Sequence, residues 1–148
     1  MTAYKKRIKT DYIVVHCAAT TAKMDIGRAD IDRWHRAKGW FGIGYHYVIR
    51  RDGTLEVGRP EDAVGAHVLN HNANTIGICL AGGLAEDKKT PEDNFTDAQF
   101  AALEKLLKEL KSRYPKAEIR GHSDFPEHKT RACPVFDLKA FLARIDFS

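Results

Sequence analysis

No apolar run in this chain approaches the ~20 residues of a membrane-spanning helix, and the basic N-terminus, Met1 to Lys9, lacks the apolar core and cleavage site of a secretory signal. Both absences argue against a membrane protein and an exported one. The expectation is a protein made and kept in the cytosol unless another factor releases it. Cysteine is scarce as well: three residues cannot pair into a disulfide framework, and Cys17 and Cys79 lie in apolar strand-like runs where a reduced thiol packs as a small hydrophobe. No internal repeat or low-complexity tract is present. Gly42 and Gly44 lack the third glycine and following helix that a phosphate loop requires.

The basic excess is modest. A net charge of +4 favours anionic partners without choosing among them, and its one cluster is Lys5, Lys6, Arg7 and Lys9. Elsewhere basic and acidic residues are interspersed, and neither a recognition helix nor an aromatic-basic platform appears, so specific nucleic-acid binding is not expected. What the chain does have is enough apolar content, 43% of 148 residues, for one domain that buries roughly two-thirds of its unfolded surface.

The chemistry concentrates in Arg120-Gly121-His122-Ser123-Asp124 and in Arg131-Ala132-Cys133-Pro134. An imidazole and a thiol stand eleven positions apart across a polar loop that follows the β-like run Ala117-Glu118-Ile119. Zinc favours neutral imidazole and thiolate, and a catalytic zinc takes three protein ligands with one position left open. The best third candidate is His16, in the β-branched run Tyr12-Ile13-Val14-Val15-His16-Cys17. Alternation places His16 on a face with Val14, and Cys17 on the other with Ile13 and Val15. The same residues also read as a buried cysteine and hydrogen-bonded histidines.

Around these lies a mixed α/β pattern. Ala18 to Thr21 reads as a small-residue turn. Arg28 to Lys38 has helical spacing, with Ile31 and Trp34 toward the core, His35 at the edge of the stripe as a structural residue, and Gly39 at the stop. Tyr45 and His46 begin the first strand of a hairpin closed at Asp52-Gly53, the signature of a two-residue type I′ turn. A polar loop, residues 63–74, leads to the apolar strand Thr75 to Leu80, and residues 87–93 form a charged surface loop. Thr96 and Gln99 form a capping box, Phe95 and Phe100 a hydrophobic staple, and Leu103, Leu106, Leu107 and Leu110 a core stripe that ends before Pro115. A last helix starts at Asp137 and buries Leu138, Phe141, Leu142 and Ile145. The expected fold is a single α/β domain, a central mixed sheet flanked by about three helices, over residues 12–148 after a basic segment, residues 1–11.

Val15-His16-Cys17-Ala18-Ala19-Thr20, Trp34-His35, Gly44-Tyr45-His46-Tyr47, Arg51-Asp52-Gly53, Asn74-Thr75-Ile76-Gly77, Gly121-His122 and Ala132-Cys133-Pro134-Val135-Phe136-Asp137, in that order, resemble the amidase-type lysozymes of phages. These belong to the zinc N-acetylmuramoyl-L-alanine amidase family, which includes the peptidoglycan recognition proteins. The resemblance implies one zinc per chain held by His16, His122 and Cys133, with Tyr45 catalytic rather than only an aromatic strand residue. It implies hydrolysis of the amide between N-acetylmuramic acid and L-alanine in peptidoglycan, for host-cell lysis once the membrane is opened.

Relatives carry a lysine two positions before the ligand cysteine; here that position is Arg131, and Lys129 stands two further back. Arginine can stabilise an oxyanion as a fixed cation but cannot donate a proton. Lys129 or His128 could reach the site from a bulged loop, and the leaving amine could be protonated by Tyr45, a zinc-bound water or a histidine. His46 is expected to be structural, while His67, Asn74 and Thr75 either line the cleft or hold the loop. The resemblance also implies restraint of a phage RNA polymerase, with Lys5 to Lys9 as the contact. The alternative is a non-catalytic peptidoglycan-binding module, against which Cys133 argues. A monomer is expected, with no membrane partner.

Overall fold

The computed structural model describes residues 4–129 and 132–147. Its centre is β1, Tyr12–Cys17, a strand of β-branched residues buried on both faces. Parallel pairing joins it on one side to β5, Thr75–Leu80, and on the other to β7, Glu118–Gly121. Beyond β5 the parallel β3, Tyr47–Ile49, and the antiparallel edge strand β4, Leu55–Val57, complete the order β4-β3-β5-β1-β7. A mixed sheet was expected, and this is one.

The two faces carry different cores. Ile13 and Val15 of β1, with Ile76, Ile78 and Leu80 of β5, pack against α2, Asp97–Arg113, and α3, Leu138–Ala143. On the opposite face Val48 and Cys79 meet Ile31 of α1, Arg28–Ala37, while Val14 packs against Val68 and Phe125. His16 lies on this second face, the one that β-strand alternation gives it with Val14.

The helix signals act as read. Gln99 N–H donates to Thr96 Oγ1 (3.1 Å), Thr96 N–H donates back to Gln99 Oε1 (3.0 Å), and the Phe95 and Phe100 rings meet edge to face with centroids 6.1 Å apart. Leu103, Leu106, Leu107 and Leu110 are buried. Asp137 caps α3 by accepting from Ala140 N–H at 3.0 Å. In α1, however, His35 is buried while Trp34 is only half-buried.

Two local expectations are corrected. The hairpin does not close with a two-residue type I′ turn. Gly53 N–H donates to the Arg50 carbonyl, Arg50 N–H donates to the Thr54 carbonyl, and Gly53 (φ +89°) is the only residue of the turn at positive φ. That is a three-residue loop in which glycine supplies the left-handed position after an ordinary turn. Within the segment read as a small-residue turn, Thr20–Thr21 forms a short strand, β2, that pairs in parallel with β6, Gly83–Leu84. Two-residue strands carry too little period to be seen in a sequence.

The basic N-terminal segment, described from Tyr4, is stitched to the domain. Arg7 N–H donates to the Asp62 carbonyl (2.6 Å), and the buried Arg7 guanidinium bonds Thr10 and the Glu61 and Ala63 carbonyls. Lys6 and Lys9 pair at the surface with Asp62 and Asp11. Beside this seam Glu61 accepts from the hydroxyls of Tyr47 and Tyr114 and from the Arg113 guanidinium. Burial by itself would raise its pKa, but these donors outweigh burial and leave it below the usual carboxylate value. Glu61→Gln, which removes the charge these donors share, is expected to lower unfolding stability by about 1–3 kcal/mol in urea titrations at pH 7. An unchanged midpoint and slope would show that the cluster does not stabilise the fold.

Candidate active site

Strand register brings the histidines together. Val15 of β1 pairs with Gly121 of β7, so the next residue on each strand, His16 and His122, leaves the sheet at the same level. His122 opens a 3-10 turn, His122–Asp124, in which Asp124 Oδ2 accepts from Gly121 N–H at 2.8 Å. The following Phe125 is driven into the core against Tyr12, edge to face at 5.4 Å. That buried ring anchors the loop and points His122 back toward β1.

The result is a pair of imidazoles with Nδ1 atoms 3.1 Å apart. Cys133 is tied to both sides of this pair: Ser123 N–H donates to its carbonyl (3.1 Å), and its Sγ donates to the Cys17 carbonyl (3.4 Å). Each partner is the residue immediately after one of the two histidines. The structure thus brings the two histidines together and holds Cys133 against the residue that follows each of them. Among the described residues no three such side chains already close into a metal cage. The histidine pair is the assembled part.

Of the pair, His122 lines a cleft of about 520 Å³ together with Tyr45, His35, His67, His128, Lys38 and Trp40. A second depression of about 530 Å³, between β7 and α3, gathers no histidines. Tyr45 and His46 precede β3 rather than starting it, yet the ladder continues through them, with Gly58 N–H on the His46 carbonyl and Arg59 N–H on that of Tyr45. The Tyr45 ring is 5.1 Å from that of His16. Burial first, then the neighbouring Cys79, Cys133 and Cys17, holds its phenol pKa well above the ordinary value. At neutral pH Tyr45 is therefore an O–H donor.

The remaining histidines divide by role. His46 is structural: its Nδ1 accepts from Gly77 N–H (3.0 Å), which leaves the proton on Nε2, donated to the Ala63 carbonyl (2.7 Å). His35 accepts from Gly44 N–H at Nδ1 (2.8 Å), as a structural residue would, but also lines the cleft. His67 lies between His16 and Thr75, at 2.9 and 3.1 Å, and burial holds it well below the ordinary histidine pKa. Asn74 instead donates to Asp11, away from the cleft.

Among the described residues of the loop after His122, His128 reaches the cleft, its ring 4.7 Å from that of His122, while Lys129 is exposed. Arg131 lies outside the described residues. The rims are tied by His128 Nε2 on the Leu69 carbonyl (3.1 Å) and by His71 Nε2 on Glu127 (2.5 Å). Trp40 and Leu69 were not legible as cleft residues, because no spacing connects them, whereas His128 was expected as one of two loop residues that could reach the site.

The sequence profile of N-acetylmuramoyl-L-alanine amidases matches residues 6–136. The chain belongs to that family. The amidase is 50% identical over 136 residues to an endolysin of Klebsiella phage KP32, covering 92% of this chain and 87% of that one. It is 48% identical over 139 residues to an endolysin of Enterobacteria phage K11, covering 94% and 89%. Among solved structures, the endolysin amidase LysCS of Clostridium intestinale superposes with a TM-score of 0.81 at 30% identity, over 98% of this chain and 90% of that chain. The protein is an N-acetylmuramoyl-L-alanine amidase of the endolysin type that acts on peptidoglycan, and the reading as a non-catalytic module gives way to an enzyme.

Two buried histidines of the amidase set a pH dependence. Burial, and for His35 the charges of Lys38 and Arg59, lowers the pKa values of His35 and His46 to about 4. The unfolded chain binds those protons near pH 6.5. Stability is therefore complete above about 6.5 and falls as pH drops toward 4, each histidine contributing a slope of up to about 1.4 kcal/mol per pH unit. Urea unfolding between pH 7 and 4 should show a slope reduced by about one proton in His46→Asn, whose amide oxygen still accepts from Gly77. An identical slope would remove His46 from the acid response.

Proposed function

We propose that the cleft is a zinc centre in which His16, His122 and Cys133 hold the metal and Tyr45 assists hydrolysis of the bond between the lactyl carbonyl of N-acetylmuramic acid and L-alanine. The observation that carries the reading is the 3.1 Å approach of the two Nδ1 atoms. Two nitrogens on one tetrahedral zinc, each about 2.0–2.1 Å from it, stand about 3.3 Å apart. The donor set of two imidazoles and a thiol suits zinc, and Cys133 already bonds beside both histidines. When bound, zinc supplies Lewis acidity toward the carbonyl and an ionisable water near neutral pH.

The protein's own groups do the positioning. Tyr45, protonated and beside His16, donates a hydrogen bond to the oxygen that gains charge as the amide carbon becomes tetrahedral. Because Tyr45 is half-buried, its hydrogen bond works at a lower local dielectric than in bulk water and strengthens as charge develops there. Arg131 takes the place of the lysine of relatives as a fixed cation and leaves proton transfer to another group. Of the cations that a polymerase contact would use, Lys5, Lys6 and Lys9 remain exposed while Arg7 is committed to the fold. The enzyme meets the wall after another factor opens the membrane.

Digestion of purified peptidoglycan tests the reading. Zinc-loaded protein should release new L-alanine amino termini without new reducing sugars, and a chelator should abolish the release. Tyr45→Phe should retain zinc and lose about 10²–10³-fold in kcat. Cys133→Ala should lose zinc. Chelator-insensitive release by a metal-free protein would overturn the zinc centre.

A further inference from the structure

A histidine can present a lone pair to a metal at Nδ1 only if its proton sits on Nε2, and isolated imidazole does not fix that choice. In this protein a chain of three hydrogen bonds fixes it. The Thr75 hydroxyl donates to the His71 carbonyl at 2.8 Å, so its single proton is committed. Toward His67 Nε2, 3.1 Å away, Thr75 Oγ1 can then only accept. His67 thus carries its proton on Nε2, and its Nδ1 is an acceptor. His16 Nε2 lies 2.9 Å from that Nδ1 and must donate to it. The remaining nitrogen of His16, Nδ1, is left with a lone pair facing His122 Nδ1 at 3.1 Å.

The backbone is shaped for this chain. Thr75 and Gly77 of β5 share a sheet face with Val14 and His16 of β1, and the His67 ring lies over Gly77. A Cβ at residue 77 would stand 2.6 Å from both Cγ and Nδ1 of that ring, closer than side-chain carbons approach one another. Asn72 Oδ1 accepts from the N–H groups of His67 and Val68, both at 2.8 Å, which fixes the loop that delivers the ring.

We propose that His67, oriented by Thr75, is a positioning residue that locks His16 in the Nε2–H tautomer and so prepares its Nδ1 as a metal donor. It touches neither substrate nor metal in this role and acts through His16. The consequence for metal affinity rests on the zinc reading above; the tautomer does not.

Two measurements separate them. In metal-free protein labelled with 15N, long-range proton–nitrogen spectra should show His16 as the Nε2–H form. In His67→Phe, which keeps an aromatic ring but removes the acceptor, that signature should give way to Nδ1–H or a mixture. Thr75→Val should move it the same way, and Thr75→Ser, which keeps the hydroxyl, should restore it. Competition with a chromophoric chelator should show zinc binding weakened about 10–100-fold in His67→Phe, the usual loss when an outer hydrogen-bond partner of a ligand is removed, and less than about 3-fold in Thr75→Ser. An unchanged His16 signature in folded His67→Phe and Thr75→Val overturns the proposal. Should the wild-type protein show the Nε2–H signature, lost in His67→Phe, yet bind no zinc, the relay stands and the metal centre fails.

Discussion

Parallel pairing of β1 between β5 and β7 is the constraint on which the site depends. Register alone places His16 and His122 at one level, because Val15 is opposite Gly121. A slip of one residue would turn His16 into the face that α2 and α3 cover and would expose part of the Ile13 and Val15 core. The hydrophobic pattern that stabilises the sheet thus also sets the position of the chemistry. The 3.1 Å approach of the two histidines is inherited from the register between the buried strand β1 and the edge strand β7.

The division of faces explains how one small domain holds both a rigid core and a polar cleft. One face is closed by the leucine stripe of α2 and by α3, packed on the apolar side chains of β1 and β5. On the other, buried histidines replace part of the apolar packing. Each that the fold leaves unprotonated is satisfied by named partners: His46 by Gly77 and Ala63, His35 by Gly44, His67 by Thr75 and His16. Satisfaction of this kind keeps burial from costing several kcal/mol per group and holds the rings in one orientation.

Much of this was legible beforehand. The capping box at Thr96, the staple of Phe95 and Phe100 and the cap at Asp137 are local interactions between residues three to five apart, and they form as the spacing implies. The strands Tyr12–Cys17 and Thr75–Leu80 were legible because continuous β-branched runs have few other uses. The Arg51-Asp52-Gly53 loop was misread in type, since Asp-Gly serves both two-residue and three-residue turns. Strands of two residues were missed for want of a period. His35 was placed at the edge of a helical stripe and proved to line the cleft, because burial depends on what packs opposite.

By itself, then, the sequence determined the elements, their core faces and the kinds of donor available, since capping, periodicity and side-chain chemistry act over a few residues. It also carried the family, through motifs spread in order along the chain. Only the tertiary structure decided which donors meet. His16, His67 and Thr75 are brought together from two strands and a loop, and the proton on His16 is set by a carbonyl at residue 71. Hydrogen-bond direction is a property of the assembled network, and no local pattern encodes it.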